Sequence, residues 1–320
     1  MSGAGTAGGA PLVLGLGEAL VRLSPPGQRR LEVATELELE IGGAELNALI
    51  GAARWGARAR WLSRLADNPL GRRIAAHARA HGVETEVAWD PAARAPLYFV
   101  EHGAEPRQTH VLYDRERSAM AALAADGFAW EEAVAGAGAV LCSGITCGLG
   151  PGTADAARAF LAAGRAAGAR TFFDVNHRSR VWSWERAAPV LREVLGGVDV
   201  LFASPFDLAR LLEREGEPEE LARAASERFG HELVVMRENG HERGRVAVEM
   251  TAVSADGVER SERHEAQVVD GFGGGDVALG VFVVLSLGGA PLAAALDSAA
   301  RACALQHTIP GDAWIGSPAE

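Results

Sequence analysis

The 320-residue chain contains no lysine; all 31 of its fixed cations are arginine. That absence removes Schiff-base catalysis and the Gly-Lys-Ser/Thr phosphate loop together. An anionic ligand must then be held by arginine, by helix N-termini or by metal. Cysteine is scarce too. Cys142, Cys147 and Cys303 have neither metal-ligand spacing nor the pattern of a disulfide framework. Read as scattered buried thiols, they suit a reducing cytoplasm. The nine histidines include no His-Glu-x-x-His pair, and no Gly-x-Ser-x-Gly elbow occurs. Gly-Leu-Gly at 15–17 lacks the third glycine of a dinucleotide fingerprint and leads into strand-like sequence. Net charge is −11, which argues against a nucleic-acid partner bound through its phosphates. The opening MSGAGTAGGA has no basic start and no apolar core, so a loose terminus is expected there, not a signal peptide.

What is present is apolar and alternating. With 48% hydrophobic and 23% charged residues, the chain suits one large domain, or a large domain with a small accessory one. Strands are expected at 12–17, 60–66, 139–145, 171–176, 198–204 and 232–237. Helical patterns lie between them at 44–56, 68–82, 153–167, 184–195 and 205–229. This alternation predicts an α/β fold, a three-layer α/β/α core around a mainly parallel sheet. Residues 277–296 carry no charge and raise the question of a membrane span. GGAP at 288–291 answers it by splitting the run into two helices of core length. Residues 20–41 and 95–115 instead alternate at period two and predict a small antiparallel β lid. The core then comprises 1–19, 42–94 and 116–320. Open α/β sheets bind ligands at the C-terminal ends of their strands, where such a lid would sit.

Two glycine-rich stretches carry the chemistry. In VVDGFGGGD (268–276), Gly273, Gly274 and Gly275 precede Asp276 and a helix. First-turn amides of a helix are unpaired and suit phosphate. Asp276 is either a plain helix cap or a base beside an anion-stabilising nest. In GGAELN (42–47), a second glycine pair precedes a helix with Asn47 in its first turn.

In this order, about 230 residues apart, the two stretches resemble the signatures of the ribokinase-like (PfkB) sugar kinases. The likeness spans nearly the whole chain and includes the position of the lid. It implies that Asp276 is the base and the glycines at 273–275 the anion nest. Within the family, HVLYDRERSA (110–119), FFDVNHRSRVWSW (172–184) and LQHTIPGD (305–312) are similar to 2-keto-3-deoxygluconate kinases. That likeness places Gly42, Gly43, Asn47, Tyr98, Tyr113, Arg115, Arg178 and Asp276 on the sugar acid, whose carboxylate arginine can bind bidentately.

On the nucleotide side it implies Ser204, Arg237, Asn239, Gly240, Gly273 and Gly275, with Asp207 assisting Mg²⁺. Here the chain departs from the family. SPFD (204–207) replaces Asn-Glu-Glu-Glu/Asp, position 271 is glycine, and alanines surround residue 300. The implied activity is ATP-dependent phosphorylation of the terminal hydroxyl of 2-keto-3-deoxy-D-gluconate, with ATP and Mg²⁺ and in the cytoplasm. No membrane partner is implied. The LEVATELELEI edge of the lid suits pairing into a homo-oligomer. Two readings stand beside this one: a kinase for a neutral sugar of the fructose or ribose type, and a sugar-binding non-kinase.

Overall fold

Strands buried on both faces must be apolar at every position, and here odd and even residues feed different cores. In the first strand Val13 points to one side and Leu12, Leu14 and Leu16 to the other; Phe172 and Phe173 divide likewise, as do Val200 and Leu201. The computed structural model describes residues 9–242 and 244–319. Most of the terminal segment expected to be loose, residues 1–8, lies outside them.

The chain begins with β1 (Leu12–Leu16), β2 (Leu20–Ser24), β3 (Glu38–Gly42), α1 (Ala44–Arg54), β4 (Arg58–Ala66), α2 (Pro69–Ala80) and β5 (Val83–Asp90). Next come β6 (Leu97–Glu101), β7 (His110–Asp114), α3 (Trp130–Ala133), β8 (Ala139–Ser143), α4 (Gly144–Gly148) and α5 (Pro151–Ala166). After β9 (Arg170–Asp174), α6 (Trp184–Leu195) and β10 (Val200–Ala203) follow α7 (Pro205–Leu212) and α8 (Pro218–Phe229). Strands β11 (Leu233–Glu242), β12 (Arg245–Ser254), β13 (Gly257–Arg260) and β14 (His264–Gln267) precede the last two helices, α9 (Gly274–Leu287) and α10 (Leu292–Gln306).

The main sheet runs β13-β12-β11-β10-β9-β8-β1-β4-β5, with β14 also on β12. It is parallel from β5 to β11 and antiparallel beyond. Helices α1, α2, α9 and α10 contribute to the core on one face, and α5 to α8 to the core on the other. The result is the expected three-layer α/β/α arrangement with a mainly parallel sheet. The uncharged run forms two helices, α9 and the start of α10, separated by Gly288–Pro291. Among the described residues no helix is long and apolar enough to cross a membrane.

A second sheet, β3-β2-β6-β7, stands apart. Its outer pairs are antiparallel as expected, but its central pair, β2 with β6, is parallel. Each half arrives from a separate insertion, so no hairpin joins them. Three other expectations change. The helical segment at 205–229 is two helices, broken where Glu213 adopts φ 55° and Pro218 starts the next. The strand expected at 232–237 continues to Glu242 and pairs with β12 in a long hairpin. Edge strand β5 was not anticipated because Glu84 and Glu86 interrupt its apolar pattern; both pair with Arg60 of β4.

Helix α9 lies hard against α1. A Cβ added at Gly280 would overlap the Ala48 carbonyl, and one at Gly51 would meet the Val277 carbonyl at 3.3 Å. Gly280→Ala should therefore force the two helices apart and cost about 1–3 kcal/mol. Equilibrium urea unfolding measures the loss, and a variant as stable as the parent contradicts this packing.

Candidate active site

The strands β1, β8, β9 and β10 end on one edge of the main sheet, and the N-terminus of α9 opens on the same edge. A cavity of about 270 Å³ lies there, between that edge and the second sheet. Gly42, Gly43 and Asn47 line it from the start of α1, Tyr98, Tyr113 and Arg115 from the second sheet, and Gly273 to Asp276 from α9. Arg178, Arg237 and Asn239, also predicted from the sequence, line it too. A second cavity of about 290 Å³ adjoins it, lined by Ser204 and Asp207 among others. Asp174, Asn176, Arg178, Arg237 and Gly275 line both. Gly240 lies further along the exposed β11–β12 hairpin and lines neither cavity.

Gly273 caps α9 with φ 77°, a left-handed conformation that favours glycine. A side chain there would also strike the Asp312 carbonyl. The amides of Gly274, Gly275 and Asp276 have no partner inside the helix, because the first intrahelical bond runs from Val277 N to Gly273 O (2.9 Å). Asp276 borders the cavity with one edge. Its Oδ2 accepts from Asn47 Nδ2 at 2.9 Å, which ties the two glycine motifs together. Burial pushes its pKa up to about 6, against the Asn47 hydrogen bond and the charges of Arg178 and Arg237.

Two further acids share this condition. Asp174, at the end of β9, is raised to about 7 by burial, with Arg237 opposing. Glu45, in the first turn of α1, is likewise raised to about 7 by burial, although Ser143 and Thr146 donate to its Oε1 at 2.7 and 2.8 Å. Glu45 lies behind the cavity wall, within electrostatic reach of Asp276.

The arginines differ in their partners. Arg115 gives both Nε and Nη2 to Glu18 Oε2, at 2.9 and 2.5 Å, so its charge is already matched. Arg178 is exposed, and its guanidinium has no ion pair or hydrogen bond among the described residues. Ser204 and Asp207 form a capping box on α7: Ser204 Oγ donates to Asp207 Oδ2 at 2.7 Å and accepts from its amide at 3.1 Å. Among the described residues no group of three or more His, Cys, Asp or Glu could hold a metal ion by itself.

Sequence reading missed Glu18, Asp174 and a buried cluster at the back of the cavity. Arg22 of β2 donates to Asp312 Oδ1 and Asp270 Oδ2, both at 2.7 Å, and to His102 Nε2 at 2.8 Å. Tyr98 Oη donates to Asp312 Oδ2 at 2.7 Å. Burial works against the Arg22 charge, but Asp312 and Asp270 outweigh it and raise its pKa. The available signal was an arginine at an inward position of an alternating strand. Asp174 carried another, as an acid closing an apolar strand at the ligand-binding edge.

Fold and site together define a small-molecule phosphotransferase built on an α/β core. Residues 11–313 match the pfkB family carbohydrate kinases, and the chain belongs to that family. The 2-dehydro-3-deoxygalactonokinase of Haloferax volcanii is 37% identical over 304 residues, covering 95% of this chain and 93% of its own length. The 2-dehydro-3-deoxygluconokinase of Thermoproteus tenax is 31% identical, over 94% and 89%. The crystal structure of 2-dehydro-3-deoxygluconokinase from Thermotoga maritima superposes with a TM-score of 0.93 at 30% identity, covering 97% of this chain and 98% of that one. The protein is a carbohydrate kinase.

An acid whose pKa is higher in the folded chain than in the unfolded one favours folding less once it ionises. Between the unfolded value near 4 and about 6, the folded state holds more protons at Asp276, so its contribution weakens as pH rises through that window. Asp276→Asn should therefore melt higher than the parent at pH 8, by on the order of a few degrees. The gap should close below about pH 4. Differential scanning calorimetry at the two pH values tests this, and equal melting temperatures at pH 8 contradict a carboxylate that is costly to ionise in the folded chain.

Proposed function

We propose that the protein transfers the terminal phosphoryl group of ATP to the end hydroxyl of a 2-keto-3-deoxy sugar acid, most simply 2-keto-3-deoxy-D-gluconate, giving the 6-phosphate. The observation that carries this reading is Asp276, a carboxylate with a raised pKa beside three unpartnered helix amides, next to the wall common to two adjoining cavities. That combination suits removal of a hydroxyl proton and stabilisation of phosphoryl charge in one place.

In this reading the first cavity receives the sugar acid and the second the phosphates. Asp276 takes the proton of the attacking hydroxyl while Asn47 fixes its orientation. The amides of Gly274, Gly275 and Asp276 face the oxygens of the transferring group. Arg178, free of any carboxylate, and Arg115, already matched by Glu18, are the cations offered to the substrate carboxylate. Tyr98 and Tyr113, stacked at 5.8 Å between ring centroids, wall the sugar from the side of the second sheet.

Residues 20–41 and 95–115 then act as a lid that excludes water. Mg²⁺ would neutralise phosphate charge. The donor set fits an ion carried mainly by the phosphates, since the capping box already engages Asp207 Oδ2. The outer face of the lid exposes Leu39 and Leu112, which supports pairing of two copies through it. The buried, unpaired thiols of Cys142, Cys147 and Cys303 support a reducing compartment, the cytoplasm.

The galactonate epimer is a second reading, favoured by the 37% identical Haloferax volcanii relative. A coupled ADP-release assay over both epimers, fructose and ribose distinguishes these substrates. Turnover of a keto-deoxy acid is expected, and turnover of the neutral sugars alone overturns the acid assignment. Asp276→Asn should lower kcat by roughly 10²–10⁴-fold, and near-parental turnover would remove Asp276 as the base. Arg178→Ala should raise KM for the acid by roughly 10- to 100-fold, the worth of a lost charge-assisted contact. An unchanged KM would free Arg178 from that role.

A further inference from the structure

Arg237 is the cation whose surroundings the reading above leaves least explained. It sits on β11, lines both cavities, and packs its guanidinium directly over the helix entrance: a Cβ added at Gly275 would overlap Arg237 Nη1. Burial opposes its charge, yet its pKa is raised, because Cys303, Asp174 and Asp276 favour the cation. The Cys303 side chain neighbours this guanidinium of Arg237. Among the described residues it forms no ion pair within 4 Å, unlike Arg22 and Arg115, which both rest on carboxylates. A cation kept in a protein-walled site without an anion of its own is arranged for one that arrives.

The position narrows the choice of anion. Arg237 is not at the outer end of either cavity but on their common wall, against the residue preceding Asp276. Glycine at 275 leaves the volume that the guanidinium fills. In a chain without lysine, an arginine is also the only fixed side-chain cation that could serve here.

We propose that Arg237 is a catalytic residue of the phosphotransferase, donating N–H groups to the equatorial oxygens of the phosphoryl group during its transfer. This rests on the kinase reading given above and goes beyond a resting contact with nucleotide. In the step, the substrate hydroxyl oxygen forms a bond to the γ-phosphorus, and the bond from that phosphorus to the β,γ-bridging oxygen breaks. The hydroxyl proton passes to Asp276, and ADP leaves with the bridging-oxygen electron pair. Arg237 forms and breaks no covalent bond. It neutralises charge that grows at the wall between the cavities, as an arginine supplied within the same chain.

Arg237→Met keeps much of the packing over Gly275 and removes the charge; Arg237→Lys keeps a charge and loses the planar fork. Two readouts are paired. In steady-state assays, the methionine variant should lose about 10³-fold in kcat, with KM for the sugar acid within threefold of the parent, and the lysine variant should recover at least tenfold of that loss. In calorimetric titrations with sugar acid present, the parent should bind Mg-ADP with fluoroaluminate much more tightly than Mg-ADP alone, as expected of a transition-state mimic. The methionine variant should lose that gain while binding Mg-ADP normally.

A methionine variant with parental kcat, or one that keeps the fluoroaluminate gain, overturns the proposal. So does one whose only change is weaker Mg-ADP binding, which would make Arg237 a nucleotide contact. If the methionine variant does not fold, the lysine variant decides alone, and loss of melting temperature without loss of kcat assigns Arg237 to structure. A parent chain inactive on every sugar offered would instead remove the kinase reading itself, an outcome visible before any variant is made.

Discussion

The contact between α1 and α9 is the constraint on which the site depends. Gly280 and Gly51 let the two helix backbones approach more closely than side chains would allow. That approach puts Asn47 within 2.9 Å of Asp276. Asn47 opens one glycine-led helix and Asp276 the other, 229 positions apart in sequence. Without the close crossing there would be two unrelated helix entrances at the sheet edge. With it there is one cavity, floored by free amides and a carboxylate that is already oriented. The hydrogen bond is modest, on the order of 1–3 kcal/mol for an amide on a carboxylate. Its importance is geometric, because a base must be held to within a fraction of an ångström to be useful.

Electrostatics are organised around the same point. Three acids, Asp276, Asp174 and Glu45, are each lifted toward neutrality chiefly by burial. Two arginines, Arg178 and Arg237, lower the pKa of Asp276 and Asp174 without forming tight pairs with them. A tight pair would hold Asp276 ionised but also weaken it as a base. Longer-range charges moderate the pKa and leave the cations available. The contrast with Arg115 on Glu18, and with Arg22 on Asp270 and Asp312, separates arginines that build the walls from those left to meet a ligand.

Much of this was legible in the residue order. The buried parallel strands are short apolar runs between glycine-punctuated helices, and they appear in the structure near their expected positions. The two glycine-led motifs line one cavity, together with both tyrosines of the chain, Tyr98 and Tyr113. What could not be read were features fixed by distant partners. The parallel pairing of β2 with β6 depends on where two separate insertions meet. Strands β13 and β14 mix polar and apolar residues because they form the more exposed end of the sheet. Arg22 has no readable partner in the sequence until Asp270 and Asp312 are brought to it. Ser204 and Asp207 show the opposite problem: a serine, a proline and an acid three places on fit a helix start as well as a ligand site, and here they do close a capping box.

Arg22 also has a consequence for how the chain emerges during synthesis. Its partners Asp270 and Asp312 stand 248 and 290 positions downstream. Until they emerge, the guanidinium of β2 has only Glu40 of β3 within reach, at 3.6 Å and partly exposed, and a poorly matched buried cation is expensive. The second sheet therefore gains its full set of ion pairs with the core only after residue 312 has been made. A strand made well before either partner is thus locked late, and the active cavity takes shape only once both carboxylates have left the tunnel.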